Sequence, residues 1–399
     1  MRGSPRFDEV NAMDLASAPS LYDSGAKTHG EPADRAAIRV VSRQVAQQPA
    51  FLDVWERLVL HASEPNPFFE PWFALPSASH LARAQEPTFI AHVTGGTLTG
   101  LVPVSRNLSY YGYPLPHASV WLHPNSFCGA PLVARGHEVS FWSALLEQLD
   151  SAPQFALFLH LPLLPEAGPL NRALDQVLAE SGRQHAIVQR QQRAMLASSL
   201  GPQGYLASSL SAKKRKELRR QQKRLAELGT LTFERLNDNT ALERWVSDFL
   251  LLESAGWKGK AGSALAKSTS SARFFSDTLT RAANAGRLER LALRLNEEPI
   301  AMLANFISPP GAFSFKTAFD ERFARFSPGL LLQLENLALL DRTELAWADS
   351  CASEGHPMIE RLWRERRTMV SRNIALGGTL RRAAFAALTA RENRRSKSS

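Results

Sequence analysis

FSFKTAFDERFARFSPGLLLQLENLALL, residues 313–340, is the stretch whose reading decides the fold. Its opening residues alternate as a strand does, with Phe313, Phe315, Thr317 and Phe319 predicted on one face and Ser314, Lys316, Ala318 and Asp320 on the other. A lysine and an aspartate on one face mean that this face either meets solvent or lines a cleft for a ligand. Ser327 then has the chemistry of an N-cap and Pro328 suits the first helical position, so a helix is predicted from Pro328 to Leu340. Pro328 has no N–H, so the open amides of this helix end are expected at Gly329, Leu330 and Leu331. Bare amides at the positive end of a helix dipole favour an anion. Arg322 and Arg325, just before the turn, add charge. Leucines on nearly every side predict a buried helix. The residues alone leave two readings open, an anion site and a merely well-capped helix start.

Working outward, the second half (198–378) holds LERLALRL, the turn Asn296-Glu297-Glu298-Pro299 and IAMLANFI, which read as a hairpin. Before it, Leu242, Trp245, Val246, Phe249 and Leu250 fall on one helical stripe, with Gly256 placed as a C′ glycine. After residue 340 come a strand (ELAWAD), a short helix near 358–366 and a strand around 369–376. The first half (37–197) gives a helix over 48–62, a hairpin over 88–105 and a loop, NLSYYGYPLPHAS. A strand (VWLH), a helix over 138–150, a strand (QFALFLHLP), a helix over 168–181 and a strand over 183–197 follow. Each half thus has an amphipathic helix followed some tens of residues later by a tight hairpin, which predicts two copies of one α/β unit in tandem. Residues 1–36 read as a disordered arm and 379–399 as a basic, frayed tail.

The chain has 399 residues, 47 Lys+Arg against 38 Asp+Glu and a net charge of +9. Residues 211–224 carry +7 and residues 381–399 carry +5, so the remaining body is slightly acidic. Two local segments, not a basic surface, make the protein basic, which argues against a uniformly nucleic-acid-binding chain. The 211–224 run is helical in pattern, and its cations at 213–224 suit either solvent or a polyanion. No segment is apolar enough to span a membrane and no secretory leader precedes the fold, so a cytoplasmic protein is expected. Two distant cysteines, Cys128 and Cys351, make neither a disulfide framework nor a zinc site, so no metal is expected. A serine hydrolase would need an elbow such as GxSxG, and none is present. His117, His123, Asn125 and Cys128 leave a cysteine nucleophile conceivable but without a flanking signature.

Four blocks carry a resemblance: SLSAKKRKELRRQQKRLAELGTLTFERL, ESAGWKGKAGSAL, FFSDTLTRAANAGRLERLALRLNEEPIAMLANF and KTAFDERFARFSPGLLLQLENL. Over about 205–345 the chain resembles the CelD/BcsL-like acetyltransferases of the GNAT superfamily, a branch linked to cellulose or exopolysaccharide formation. The first half is similar to the degenerate partner unit of tandem members, and the double unit also resembles the aminoacyl-tRNA-dependent Fem-type transferases. The resemblance implies an α/β fold of two tandem GNAT-like mixed-sheet units with helices on both faces. It implies acetyl-CoA or another acyl-CoA as co-substrate, and a small-molecule or saccharide acceptor presenting an amine or hydroxyl. It places the CoA diphosphate at Arg322, Arg325, Ser327, Pro328, Gly329 and Leu330, although a single glycine stands where the family's loop has several.

Acyl transfer needs a base for the acceptor, a polarised carbonyl and a tolerated leaving thiolate. Asp320 and Glu253 are the candidate bases, with Lys316 to orient an acceptor or a phosphate. Trp257 and Lys258, at the family's GWK position, are expected to shape the cleft. The second half has no tyrosine beyond Tyr205, so Tyr110, Tyr111 or Tyr113 would have to reach across, or water would protonate the thiolate. An RNA-borne donor and a non-catalytic scaffold on the same fold are the competing expectations.

Overall fold

The alternating segments of both halves pair into one mixed sheet of thirteen strands. The structure is a computed structural model that describes residues 36–82 and 86–396. All but Ala36 of the arm expected over 1–36 lies outside the described residues. The first half opens with β1 (Ala37–Val41), α1 (Arg43–Ala46), α2 (Pro49–His61) and α3 (Pro71–Leu81). It continues with β2 (Thr88–Thr94), β3 (Thr97–Asn107), β4 (His117–Val120), β5 (Leu132–Val133) and α4 (Glu138–Ser151). It closes with β6 (Phe158–Pro165), α5 (Pro169–Glu180) and β7 (His185–Leu196). The second half opens with α6 (Pro202–Ser209), α7 (Ala212–Ala226), β8 (Leu231–Leu236), α8 (Leu242–Ala255), α9 (Trp257–Lys260) and α10 (Thr269–Asn284). Then come β9 (Leu288–Leu295), β10 (Glu298–Ser308), β11 (Gly311–Phe319), α11 (Pro328–Asn336), β12 (Trp347–Asp349), β13 (Glu365–Ala375) and α12 (Thr379–Ser396).

The strand order is β1-β2-β3-β4-β6-β13-β7-β12-β11-β10-β9-β8, with β5 on β3. It reads the same way from either edge to the centre, where the last strand of each half is exchanged. β13 lies between β6 and β7, and β7 lies between β13 and β12. All pairs are antiparallel except β4 with β6 and β11 with β12. A buried carboxylate pins the exchange: Asp349, ending β12, lies 3.0 Å from Arg367 of β13 and 3.7 Å from Arg193 of β7. Asp349 also accepts the Cys351 amide at 2.8 Å. Arg367 stacks 4.3 Å over Trp347. With its charges paired and hydrogen-bonded, such a cluster is tolerated inside a core.

Two apolar layers cover the sheet of the second half. On one face, α8 buries Leu242, Trp245, Val246, Phe249 and Leu252 against α10, α3, Phe306 and Phe315. On the other, α7 and α11 bury Leu218, Leu225, Leu331 and Leu332.

Several expectations change. The tail is helical as α12, anchored by Phe385 in a small cluster with Tyr110, Phe158 and Ala375. Residues 357–362 form turns, not a helix. Gly256 has φ −87°, so it is no left-handed C′ residue, and α9 starts directly after it. α3, which the reading of the sequence missed, is buried at every residue from Pro71 to Ala78 and contains Pro76, so it has no amphipathic period to read.

Candidate active site

A β-bulge decides where the functional side chains of β11 point. The ladder pairs Ala304 with Lys316 but Asn305 with Ser314, leaving Phe315 as the extra residue. Alternation therefore breaks, and the faces predicted for this strand are corrected. Ser314 points to the α11 side, where it bonds Asn305 and Asn336 at 3.0 and 3.4 Å. Phe319 also faces α11. Phe313, Phe315 and Lys316 share the opposite side. There Phe315 stacks on Phe306 at 4.4 Å, and the Lys316 ammonium sits 5.5 Å from the Phe315 ring and 5.4 Å from Phe127.

β11 and β12 are parallel only over Gly311–Trp347, Ala312–Ala348 and Phe313–Asp349. β12 then ends while β11 runs on to Phe319, and a fork opens. Lys316 lies on the β11 prong. Burial pushes its pKa down to about 8, and the Lys258 charge adds to this against the pull of Glu253 and Cys351. Beside it, Lys258 donates to Glu253 at 2.8 Å and to the Thr317 carbonyl at 3.4 Å. Glu253, only 3% exposed, also accepts the Leu265 amide at 2.8 Å. Glu253 thus holds Lys258 and the loop after α9 in place.

A cavity of about 470 Å³ lies past the end of β12, with Phe127, Arg193, Cys351, Ala352 and Ser353 in its wall. A wider cavity of about 1050 Å³ adjoins it, and both are lined by Leu122, His123, Pro124 and Pro162. His123 lies where a base would be sought, but it is fully engaged. Nδ1 accepts the Asn125 amide at 3.3 Å, and Nε2 meets Ser77 Oγ at 3.0 Å. Ser77 in turn donates to the Phe73 carbonyl, which leaves Nε2 as the donor. Burial and the Lys316 charge push the His123 pKa down to about 3, so the ring is a neutral wall and not a base.

The other predicted residues separate. Asp320 caps the 3-10 turn after β11, accepting from the Arg322 amide at 2.9 Å and pairing with its guanidinium at 2.7 Å. Burial opposes ionisation, but the Arg322 hydrogen bonds and charge hold this carboxyl below the usual range. Asp320 and Arg322 therefore satisfy each other, away from the fork, and Asp320 is not placed as a base. Ser327 takes a left-handed φ of 55° and makes no side-chain cap. Its carbonyl accepts both the Leu330 and Leu331 amides at 3.0 Å, so of the three amides expected open, only Gly329 is left. Pro328 and Gly329 are buried, and a side chain on Gly329 would meet Met358 at 3.2 Å and Phe319 at 3.3 Å. Leu330 is partly buried, and Arg325 lies exposed over Phe326 at 4.7 Å. This turn offers a diphosphate one amide and the nearby Arg325, less than the sequence promised.

Tyr110 is corrected too: it is 4% exposed, packed with Phe158 and Phe385, and its hydroxyl accepts from Asn373 at 2.8 Å. Tyr111, 71% exposed, lines the smaller cavity. Trp257 is 56% exposed at the start of α9 and not in the core. Cys128 is fully buried with its thiol pushed up to about 11, which removes it as a nucleophile. Among the described residues no cluster of three His, Cys, Asp or Glu side chains fits a metal, and no helix is long and apolar enough to cross a membrane. Reading the sequence missed the Asp349 cluster and the wider cavity; the long loop of 107–119 was the signal for the latter.

Residues 212–354, which contain α7 through β12 and hence the fork, match the family described as the acetyltransferase (GNAT) domain. The chain is similar in fold to the crystal structure of FemX, at 12% identity and a TM-score of 0.56, over 82% of this chain and 96% of that one. It is similar also to L-PGS from Bacillus licheniformis (12% identity, TM-score 0.52, 84% and 93% covered). A third likeness is to the C-terminal domain of a putative lysylphosphatidylglycerol synthetase from Agrobacterium fabrum (12%, 0.50, 85% and 95%). No match was found among curated proteins. Residues 212–354 are thus similar to a GNAT acetyltransferase domain, within a mixed α/β fold.

Proposed function

We propose that the protein is an acyltransferase that moves an acetyl or longer acyl group from acyl-CoA to an amine or hydroxyl acceptor, in saccharide or cell-envelope chemistry. The observation that carries this reading is the parallel β11–β12 fork inside the matched domain, with the Lys316 ammonium beside it. The donor carbonyl lies in the fork. The acceptor attacks, a C–N or C–O bond forms, and the C–S bond breaks. Lys316 donates to the developing oxyanion and then gives its proton to the departing thiolate, the part for which residues 212–354 hold no tyrosine. The acceptor's proton leaves through the open cavities, and water reprotonates Lys316. Glu253 and Lys258 act as positioning residues. Gly329, Arg325 and cations of α7 supply the contacts for the diphosphate.

One observation favours a second reading, an acyl ester carried by RNA. Lys213, Lys216, Arg220 and Arg224 are exposed along α7, which touches the Arg325 turn through Gln221 at 3.3 Å. Lys260, paired with Glu321, continues that surface to the exposed Trp257. Cations flanking an open aromatic ring suit single-stranded nucleic acid. Free-thiol release from acetyl-CoA in the presence of amino sugars tests the first reading. Thermal shift by CoA with no response to bulk tRNA supports it, and salt-sensitive tRNA binding with no CoA response supports the second. Binding of neither would sink both.

A further inference from the structure

The wider cavity belongs to the first half's own fork. β4 and β6 are parallel at Ala118–Leu159 and Ser119–His160 and then part, as β11 and β12 do in the second half. The chain leaving β4 (119–125), the end of β3 and the following residues (105–109), and the second-half loop 262–271 wall the space. Its charge is one-sided. Six serines, Asn107, Asn125 and the indole of Trp121 line it together with Arg106 and Lys267, beside apolar residues such as Leu108, Val120 and Leu122, and among the described residues no carboxylate does. Arg106 is held by the Ala152 and Pro153 carbonyls at 3.3 and 3.1 Å. Lys267 is exposed and has no ion-pair partner among the described residues.

A cationic ligand would need carboxylates here, and an apolar one would need fewer hydroxyls. Hydroxyl and amide partners suit a polyol, an indole offers a flat face to the C–H side of a sugar ring, and the two cations suit phosphate or carboxylate. We propose that this cavity is the acceptor site and that the acceptor is an anionic sugar. At about 1050 Å³ it stands at the upper end of small-molecule pockets, with room for more than one ring. The site adjoins the cavity beside the second fork, since Leu122, His123, Pro124 and Pro162 form part of both walls. The word acceptor rests on the acyl-transfer reading; binding of an anionic sugar does not.

The test is calorimetric titration of the full chain with glucose 6-phosphate, glucuronate and neutral glucose. Saturable binding of either anion is expected, about tenfold or more tighter than of glucose. The phosphate and carboxylate arms show which anion the site prefers. Lys267→Glu should weaken the anions by about tenfold and leave glucose unchanged, whereas Trp121→Leu should weaken all three. Circular dichroism verifies that both variants fold. No saturable binding of either anion up to about 10 mM overturns the proposal. So does equal binding of the neutral sugar, or indifference of the anions to Lys267→Glu. Acetyl transfer from acetyl-CoA is followed on the same preparation. Sugar binding without transfer leaves this site standing and counts against the transferase reading; transfer to an amine without sugar binding does the reverse.

Discussion

Lys316→Met should make the protein more stable and less active at once. The ammonium's pKa is about 8 in the fold against 10.5 for a free lysine, so holding it charged costs the folded state about 3 kcal/mol near neutral pH. Two effects lower the recoverable part. The side chain is only half-buried, which screens the penalty, and the Phe127 and Phe315 rings give back some cation–π attraction. A gain of about 1–2 kcal/mol at pH 7 is therefore expected, with Met occupying a similar volume. The direction with pH follows from linkage. The folded pKa is depressed, so the penalty is full below pH 8, fades as pH climbs, and is gone above 10.5. Urea denaturation at pH 7 and at pH 9.5 reads it: the advantage of Lys316→Met should fall by more than half between the two. If the reading of Lys316 as the proton donor is right, kcat falls by about a hundredfold or more, the usual weight of a general acid. A variant that is less stable at both pH values, or whose advantage ignores pH, refutes the account of a strained ammonium. One that keeps full kcat refutes its role.

Three further outcomes follow from the same coordinates. Asp349→Ala leaves Arg193 and Arg367 buried and unpaired, so chemical denaturation should show a loss of about 3–5 kcal/mol. Gly311→Ala places a methyl 2.5 Å from the Trp347 ring, and a loss of about 1–3 kcal/mol is expected in the same assay. Glu64 is buried and its pKa is pushed up to about 7, with Arg367 and the Leu170 amide opposing the effect of burial. Its raised carboxyl is harmless below pH 4.5 and costs about 3 kcal/mol once pH passes 7, so Glu64→Gln should stabilise at pH 8 and change little at pH 4.

Much of this architecture is written in local pattern. The hairpins of 88–105 and 288–308, α8 and the Pro328 helix start follow from alternation, the helical stripe and the Ser-Pro-Gly sequence. What escaped did so for physical reasons. The bulge at Phe315 depends on the register of β10, a partner strand whose alignment no window of β11 contains. Leu331 lost its open amide because it stands four residues after Ser327, where the first intrahelical bond closes, and a tighter 3-10-type bond to the same carbonyl takes the amide of Leu330. Tyr110 and Phe385 lie far apart in sequence yet pack together, so neither the buried tyrosine nor the helical tail could be read from its own neighbourhood. Glu253, Lys258 and Lys316 were individually visible as chemistry, but their union needs α8, α9 and β11 to meet.

The swapped central strands carry a mechanical consequence. A polypeptide whose halves each close the other's ladder has no hinge along which they might swing, so the two pockets keep a constant separation. Such a body works as an anvil and not as a jaw: reactants must arrive already shaped for the gap, and selectivity resides in the pocket walls more than in any clamping motion.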